Sequence, residues 1–454
     1  MNRLTKAFRG DGLTARVLRS ASWLMVGYGG GQALRLASNL ILTRILFPEA
    51  FGLMALVNVV VVGLQMFSDV GLRAAITQNP RGDDPDFLDT AWTIAIARGV
   101  ILFLATIALA WPVSRFYGEP DLALYLPIAG FASVIAGFAP TKIETANRHL
   151  RIGRLTVLEL VSQAIGLCCV VATAYVTRSV VALALGGTFY GVAHLVLTNL
   201  LLPGRSNRLR WEPGIARELL QFGKWIFLST AFWFITSQSD RAILGKFLTM
   251  KTLGLYNIGY FLASFPYMLA LSLNHKLMMP VYRDKPAAAS RHNFRRQRQL
   301  RSAMTAGFLA ALGLMAMAGP WLIDVLYDDR YRASGAILVL VACALMPAVI
   351  VMTYDAAALT AGDSRSFAIY SATRAFAQVA LLVLGVTHFG LNGAIAAIGL
   401  AQIAAYPVLV WLAVKHRVWD WLHDVGFALV AAALIATALR LHWDRVAETV
   451  QALS

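Results

Sequence analysis

Charge is what this sequence has least of. Only 14% of its 454 residues are Asp, Glu, Lys or Arg, against 58% hydrophobic. A soluble fold of this length needs far more charge to cover its surface, so a soluble domain is excluded. Cysteine is nearly missing. Cys168, Cys169 and Cys343 all lie in apolar runs, which leaves no disulfide framework and no thiolate metal cluster. Gly27, Gly29, Gly30 and Gly31 follow no strand and precede no Gly-Lys-Ser or Gly-Lys-Thr. They read as close-packing small residues, not as a phosphate loop. No nucleophile triad and no zinc-ligand spacing is visible. The chain therefore reads as a non-enzyme with no cofactor and no means of hydrolysing ATP. A proton or sodium gradient, or the substrate gradient itself, would supply any energy. Acidic residues are scarce too: 24 Asp and Glu against 40 Lys and Arg, a net charge of +16. That excess sits in short links between apolar segments, so it sets membrane topology and does not imply nucleic acid.

What the chain does have is a dozen long apolar segments. They fall at 20–43, 50–72, 90–114, 122–145, 155–177, 180–202, 222–244, 254–279, 302–326, 333–358, 367–389 and 391–414. Each suffices to cross roughly 30 Å of hydrocarbon at about 1.5 Å per residue. Segment 424–442 is a short thirteenth candidate that would either span or lie in the interface. In lipid every backbone group must be satisfied internally, so the fold class is an all-α polytopic bundle. The first apolar segment runs on through Ile45 without a small-residue cleavage site, and reads as a retained helix. The strongly basic links are 1–19, 146–154, 203–221 and 283–301, and 415–417 adds Lys415 and Arg417. With twelve spans all of these fall on the side of the N-terminus, which the positive-inside rule makes cytoplasmic. The 73–89 link shares that side by parity although it holds Asp83, Asp84, Asp86 and Asp89.

A shift of 202 residues lays the second half on the first. Trp23 meets Trp225, Ile41-Leu42 meet Ile243-Leu244, Arg44 meets Lys246, and Gly52-Leu53 meet Gly254-Leu255. Six spans per half is an even number, so the repeats would be parallel and related by an axis along the membrane normal. The expected organisation is a basic segment 1–19, a lobe 20–202, a basic linker 203–221, a second lobe 222–414 and an extension 415–454. Two such lobes with a cleft between them suit alternating access.

Several charges lie at membrane depth, where each costs about 2.5–3.5 kcal/mol on insertion scales. The cations are Arg35, Arg44, Arg73, Arg98, Arg241, Lys246 and Arg374, all candidates for a substrate path. The carboxylates are Asp69, Glu144, Glu159, Asp240 and Asp355, candidates for ion coupling or for pairing inside the bundle. For those near span ends, snorkelling or capping competes with function. Arginine's planar fork suits phosphate oxygens, so the basic excess points to a phosphorylated or acidic solute.

Residues 42–78, LTRILFPEAFGLMALVNVVVVGLQMFSDVGLRAAITQ, resemble the opening of bacterial exopolysaccharide exporters of the oligosaccharide flippase family. Residues 240–266, DRAILGKFLTMKTLGLYNIGYFLASFP, and the PVYRD at 280–284 resemble that family's middle segment. Arg44, Gly52, Phe67, Asp69, Gly71, Arg73 and Gln78 match the first stretch; Asp240, Arg241, Gly245, Gly254, Tyr256 and Pro266 match the second. The resemblance implies two six-helix lobes in the inner membrane. It also implies transfer of an undecaprenyl-diphosphate-linked oligosaccharide to the outer leaflet, beside a polysaccharide polymerase and glycosyltransferases. The rival readings are an ion-coupled exporter of small molecules, for which Asp355 would be the anchor, and a non-transporting scaffold for polysaccharide synthesis.

Overall fold

The computed structural model describes residues 13–453 apart from 70 and 285. Arg3, Lys6 and Arg9 of the basic N-terminal segment, and Lys285 of the later basic link, lie outside the described residues. Among the described residues every regular element is helical and no strand occurs. The chain divides into two compact units. One joins the residues up to Leu46 with Val57–Ala231; the other joins Phe47–Leu56 with Phe232–Ser454.

The first unit is built on α1 (Leu13–Ile45), α2 (Pro48–Phe67) from Val57 onward, its start belonging to the second unit, α3 (Leu72–Gln78), α4 (Pro85–Tyr117) and α5 (Leu122–Gly137). It continues through α6 (Lys142–Arg148), α7 (Ile152–Thr177), α8 (Val181–Ala184), α9 (Gly186–Leu201) and the start of α10 (Pro213–Phe247). The α1 glycines let that helix lie close on α7. A Cβ at Gly27 would come within 2.8 Å of Thr156, and one at Gly30 within 3.0 Å of Leu160. The segment read as one span over 122–145 is broken, with α5 and α6 at 64° to each other. The acids of the 73–89 link face basic partners. Asp83 pairs with Arg148 at 3.2 Å, the buried Asp89 with Arg205 at 3.1 Å, and Asp86 with Arg210. Links 73–89, 146–154 and 203–210 therefore share one end of this unit.

The second unit holds α11 (Met250–Ala263), α12 (Phe265–Asp284), α13 (Arg291–Leu326), α14 (Ser334–Val351) and α15 (Asp355–Thr360). After them come α16 (Ser364–Lys415), α17 (Trp421–Leu441) and α18 (Trp443–Leu453). α14 is apolar on all sides and almost wholly buried, packed by α11, α13, α16 and α17. The 52 residues of α16 are two helices that fold back at Gly390, whose φ of 58° is left-handed. Its ends meet: Lys415 Nζ is 2.6 Å from Asp363, the residue that caps its start. That ammonium holds the Asp363 carboxyl well below the usual carboxylate range. The expected spans 367–389 and 391–414 are these two limbs.

Segment 424–442 forms α17, long and apolar enough to cross a membrane. It runs parallel to α13. Arg298 meets Asp420 at 2.9 Å at one end, and Asp324 meets Arg445 at 2.8 Å past the other. Among the described residues eight helices have a spanning length and composition, nine if α5 and α6 are one span. The twelve expected differ for physical reasons. α1 and α10 are long enough but carry Arg35 and Arg44, and Asp240 and Arg241. Segment 254–279 is parted at Ser264 into α11 and α12.

The repeated Gly-Leu positions touch each other. A Cβ on Gly52 would lie 2.0 Å from the Met250 carbonyl oxygen, and one on Gly254 would lie 1.9 Å from the Pro48 carbonyl oxygen. Positions 48 and 250 are themselves 202 apart, so the contact is reciprocal across the repeat. Only glycine permits that approach of two helix backbones.

Candidate functional site

Membrane-depth charge gathers into one cluster in each unit. In the second unit α10 supplies Asp240 and Arg241. Asp240 is 3% exposed, and its Oδ2 accepts from the Tyr256 hydroxyl at 2.7 Å. The Arg241 guanidinium sits 3.5 Å from Asp240 Oδ1, donates to Asn257 Oδ1 at 3.2 Å, and stacks on the Tyr260 ring at 4.5 Å. Adjacent helical residues point about 100° apart, which alone would set these two on separate faces. The long arginine side chain folds back and undoes that separation.

Tyr256 and Asn257 reach the cluster beside Tyr260 because each lies about one turn of α11 before it, at i,i+4 and i,i+3. Arg374, on the first limb of α16, extends the cluster. With the Gln402 amide turned to present its oxygen, Arg374 Nε and Nη2 donate to it at 2.7 and 2.9 Å, so the second limb of the same hairpin fixes its position. Arg374 also hydrogen-bonds Tyr267 and Tyr370. Tyr260 lies within electrostatic reach of both Arg241 and Arg374. Asp355, at the start of α15, faces Arg374, and its Oδ1 is buried without a hydrogen bond. The result is two guanidinium groups, four tyrosines and two carboxylates, each with a buried Oδ1 that accepts no hydrogen bond.

In the first unit, Arg35 on α1 and Glu159 on α7 are both exposed. With Arg73 they lie within electrostatic reach of Tyr190 on α9; Glu159 and Arg73 also reach His194. The Tyr190 and His194 rings stack at 5.6 Å. Arg73 is 3.4 Å from Glu144 of α6, with its own side chain 89% exposed. An arginine so open and so weakly held is free to engage an anion.

The remaining candidates are bonded elsewhere or lie near helix ends, although Arg98 is also within electrostatic reach of Arg73. Arg98 donates to Ser68 Oγ at 3.0 Å and to the Gln65 carbonyl at 2.6 Å, and Asp69 accepts from the Gly71 amide at 2.9 Å. Both are committed to the turn that ends α2. Arg44 and Lys246 are exposed near the ends of α1 and α10.

Sequence reasoning missed Tyr190, His194, Tyr260, Tyr267, Tyr370 and Gln402. The spacing of four between Tyr190 and His194, and between Tyr256 and Tyr260, was the available signal. It missed Arg301 as well. That residue was taken as part of a solvated link, yet it is 1% exposed inside the second unit. It donates to the Val418 carbonyl at 3.0 Å and the Tyr282 hydroxyl at 2.8 Å. Among the described residues no group of His, Cys, Asp and Glu could hold a metal ion.

The family model described as "Polysaccharide biosynthesis protein" matches residues 41–336. Among curated proteins, the lipopolysaccharide biosynthesis protein WzxC of Escherichia coli K12 is 21% identical over 327 residues, 71% of this chain and 65% of that protein. The succinoglycan biosynthesis transport protein ExoT of Rhizobium meliloti is 23% identical over 342 residues, 72% of this chain and 65% of that protein. The matches thus span a little under two thirds of those relatives' length. Among solved structures, an inward-facing multidrug transporter of the MATE family and MOP superfamily aligns at TM-score 0.65 with 13% identity, covering 85% of this chain and 94% of that one. The lipid II flippase MurJ, in an inward closed conformation, aligns at TM-score 0.65 with 11% identity, covering 92% of this chain and 98% of that one. The chain shares the fold of these two proteins.

Proposed function

Because the chain belongs to the polysaccharide biosynthesis protein family, we propose that it is a flippase for oligosaccharides joined through diphosphate to a polyprenyl lipid. The observation that carries this reading is arginine at membrane depth in both units. Arg241 is held by Asp240 and Asn257, and Arg374 by Gln402 with Asp355 facing it. Arg35 and Arg73 are open. Such forks favour two linked phosphates, while the prenyl chain can remain in lipid and no bond need break. Half-buried aromatic and amide groups beside them, Tyr190, Asn257 and Tyr260, can bind sugar hydroxyls. The organisation into lobes 20–202 and 222–414, alternating access between them, and coupling to a proton or sodium gradient belong to this proposal. Asp355 is the coupling candidate, since its buried carboxylate lacks one hydrogen bond.

The test is a leaflet assay on purified protein in liposomes carrying a fluorescent lipid-linked oligosaccharide. Arg35→Ala should abolish transport at normal abundance, because the side chain is exposed and supports no packing. Arg35→Lys should keep part of the activity, since charge remains and the fork does not. Normal transport by Arg35→Ala would remove that residue from the path.

Orientation has its own test. We place the basic ends in the cytoplasm. Ser290 caps α13 by accepting from the Asn293 amide at 3.1 Å, so a probe belongs at its exposed neighbour Ala289. With the three native cysteines removed, Ala289→Cys should be shielded from impermeant thiol reagents outside spheroplasts. Glu448→Cys, beyond the far end of α17, should be labelled. The reverse pattern would invert the orientation.

A further inference from the structure

A second basic feature lies outside the membrane-depth clusters. A cleft of about 890 Å³ opens at the end of the first unit that carries links 73–89, 146–154 and 203–210. Its apolar wall includes Trp23, Leu88, Ala146, Leu150, Ile152 and Leu202. Its charged lining is unbalanced once the internal pairs are set aside. Asp83 is engaged by Arg148 and His149, at 3.2 and 3.0 Å. Asp89 accepts from Arg205, Asn207 and the Arg208 amide, at 3.1, 3.3 and 3.1 Å. Lys142 donates to the Asn199 carbonyl at 3.0 Å and makes no ion pair among the described residues. Arg151 and Arg154 line the cleft, are exposed, and make no ion pair among the described residues.

α6 separates this cleft from the transport cluster. Lys142, Thr145, Ala146 and His149 follow the spacing of one helical face and line the cleft. Glu144, off that face, meets Arg73. An occupant of the cleft is therefore behind the helix that bears on the Arg73 cluster, not among the groups of that cluster. The cleft combines an apolar wall at the ends of spanning helices, a tryptophan of interfacial type and unmatched guanidinium groups. A soluble anion would leave the apolar wall unused. A zwitterionic lipid would set an amine against the arginines.

We propose that this cleft binds an anionic membrane phospholipid, with Arg151 and Arg154 on its phosphate and the upper acyl chains against Trp23 and Leu202. The lipid would brace α6, and through Glu144 set the position available to Arg73.

The experiment measures thermal unfolding of the full chain in detergent with added phosphatidylglycerol, cardiolipin, or phosphatidylethanolamine of the same acyl chains. Anionic lipid should raise the midpoint by roughly 3 °C or more, as expected for a ligand of the native state. Phosphatidylethanolamine should raise it by less than half as much. The Arg151→Gln/Arg154→Gln variant should lose most of the anionic-lipid shift. Thr145→Trp, which fills the cleft and keeps both arginines, should lose it also. Arg35→Gln should retain it. The proposal is overturned if phosphatidylethanolamine works equally well or if the double variant keeps the full shift. It is equally overturned if inorganic diphosphate alone gives the same arginine-dependent shift, since the site would then take a soluble anion. Displacement of the phospholipid by stoichiometric polyprenyl diphosphate would overturn it in favour of a substrate-capture site.

Discussion

Gly52→Ala and Gly254→Ala should each cut the yield of folded, monodisperse protein several-fold and lower its melting temperature. The new methyl group would meet the Met250 carbonyl oxygen in one variant and the Pro48 carbonyl oxygen in the other, at 2.0 and 1.9 Å. Both obstacles are backbone, so no rotamer change relieves them. One helix must move off the other, and the side chains packed around them, including the fully buried Leu56 and Leu253, lose contact. Overpacking where side chains can yield costs about 1–3 kcal/mol. Here the rigid partner puts the expected cost at or above the top of that range. Gly29→Ala is the control. Nothing lies within 4 Å of its new methyl group, and alanine in a helix interior is favoured over glycine by about 0.5–1 kcal/mol. Size-exclusion profiles and melting curves of detergent extracts decide the matter. Wild-type behaviour in both crowded variants would show that the close approach does not support the fold.

Those two glycines also show what could be read from the sequence and what could not. The 202-residue repeat identified them as equivalent, but periodicity says nothing about whether equivalent positions meet. The apolar runs located the helices well because lipid leaves the backbone no other option. They even parted the two limbs of α16 at Gly390, and they failed where a span is broken, as between α5 and α6. At the site, the cations were conspicuous because charge at membrane depth is expensive. Their partners were not. Tyr260, Tyr370 and Gln402 are ordinary residues in apolar helices until folding brings α10, α11 and both limbs of α16 together. Arg301 failed in the opposite sense. It ends a run of basic residues that reads as solvated, but α13 begins at Arg291 and carries it into the core.

Asp240 and Arg241 should behave as a unit, and a double-mutant cycle should reveal it. Asp240→Asn leaves the buried Arg241 with only neutral partners, Asn257 and the Tyr260 ring. Arg241→Gln leaves a buried carboxylate supported by the Tyr256 hydroxyl alone. Breaking a buried pair from either side costs about 3–5 kcal/mol, because the surviving charge stays desolvated. Each single variant should therefore lose folded abundance. The 3.5 Å contact between the two side chains is what couples them. The double variant Asp240→Asn/Arg241→Gln removes both charges and should recover most of the abundance, with a coupling well above the about 0.3–0.5 kcal/mol scatter of independent sites. Transport per folded molecule separates structure from function. If Arg241 contacts the diphosphate, the recovered double variant remains inactive. If it transports normally, the pair is structural, and Arg374 and the first-unit arginines must bind the phosphates unaided. If Asp240→Asn instead stays abundant but loses its response to external pH, the aspartate is a proton site and the ion-coupled reading gains ground.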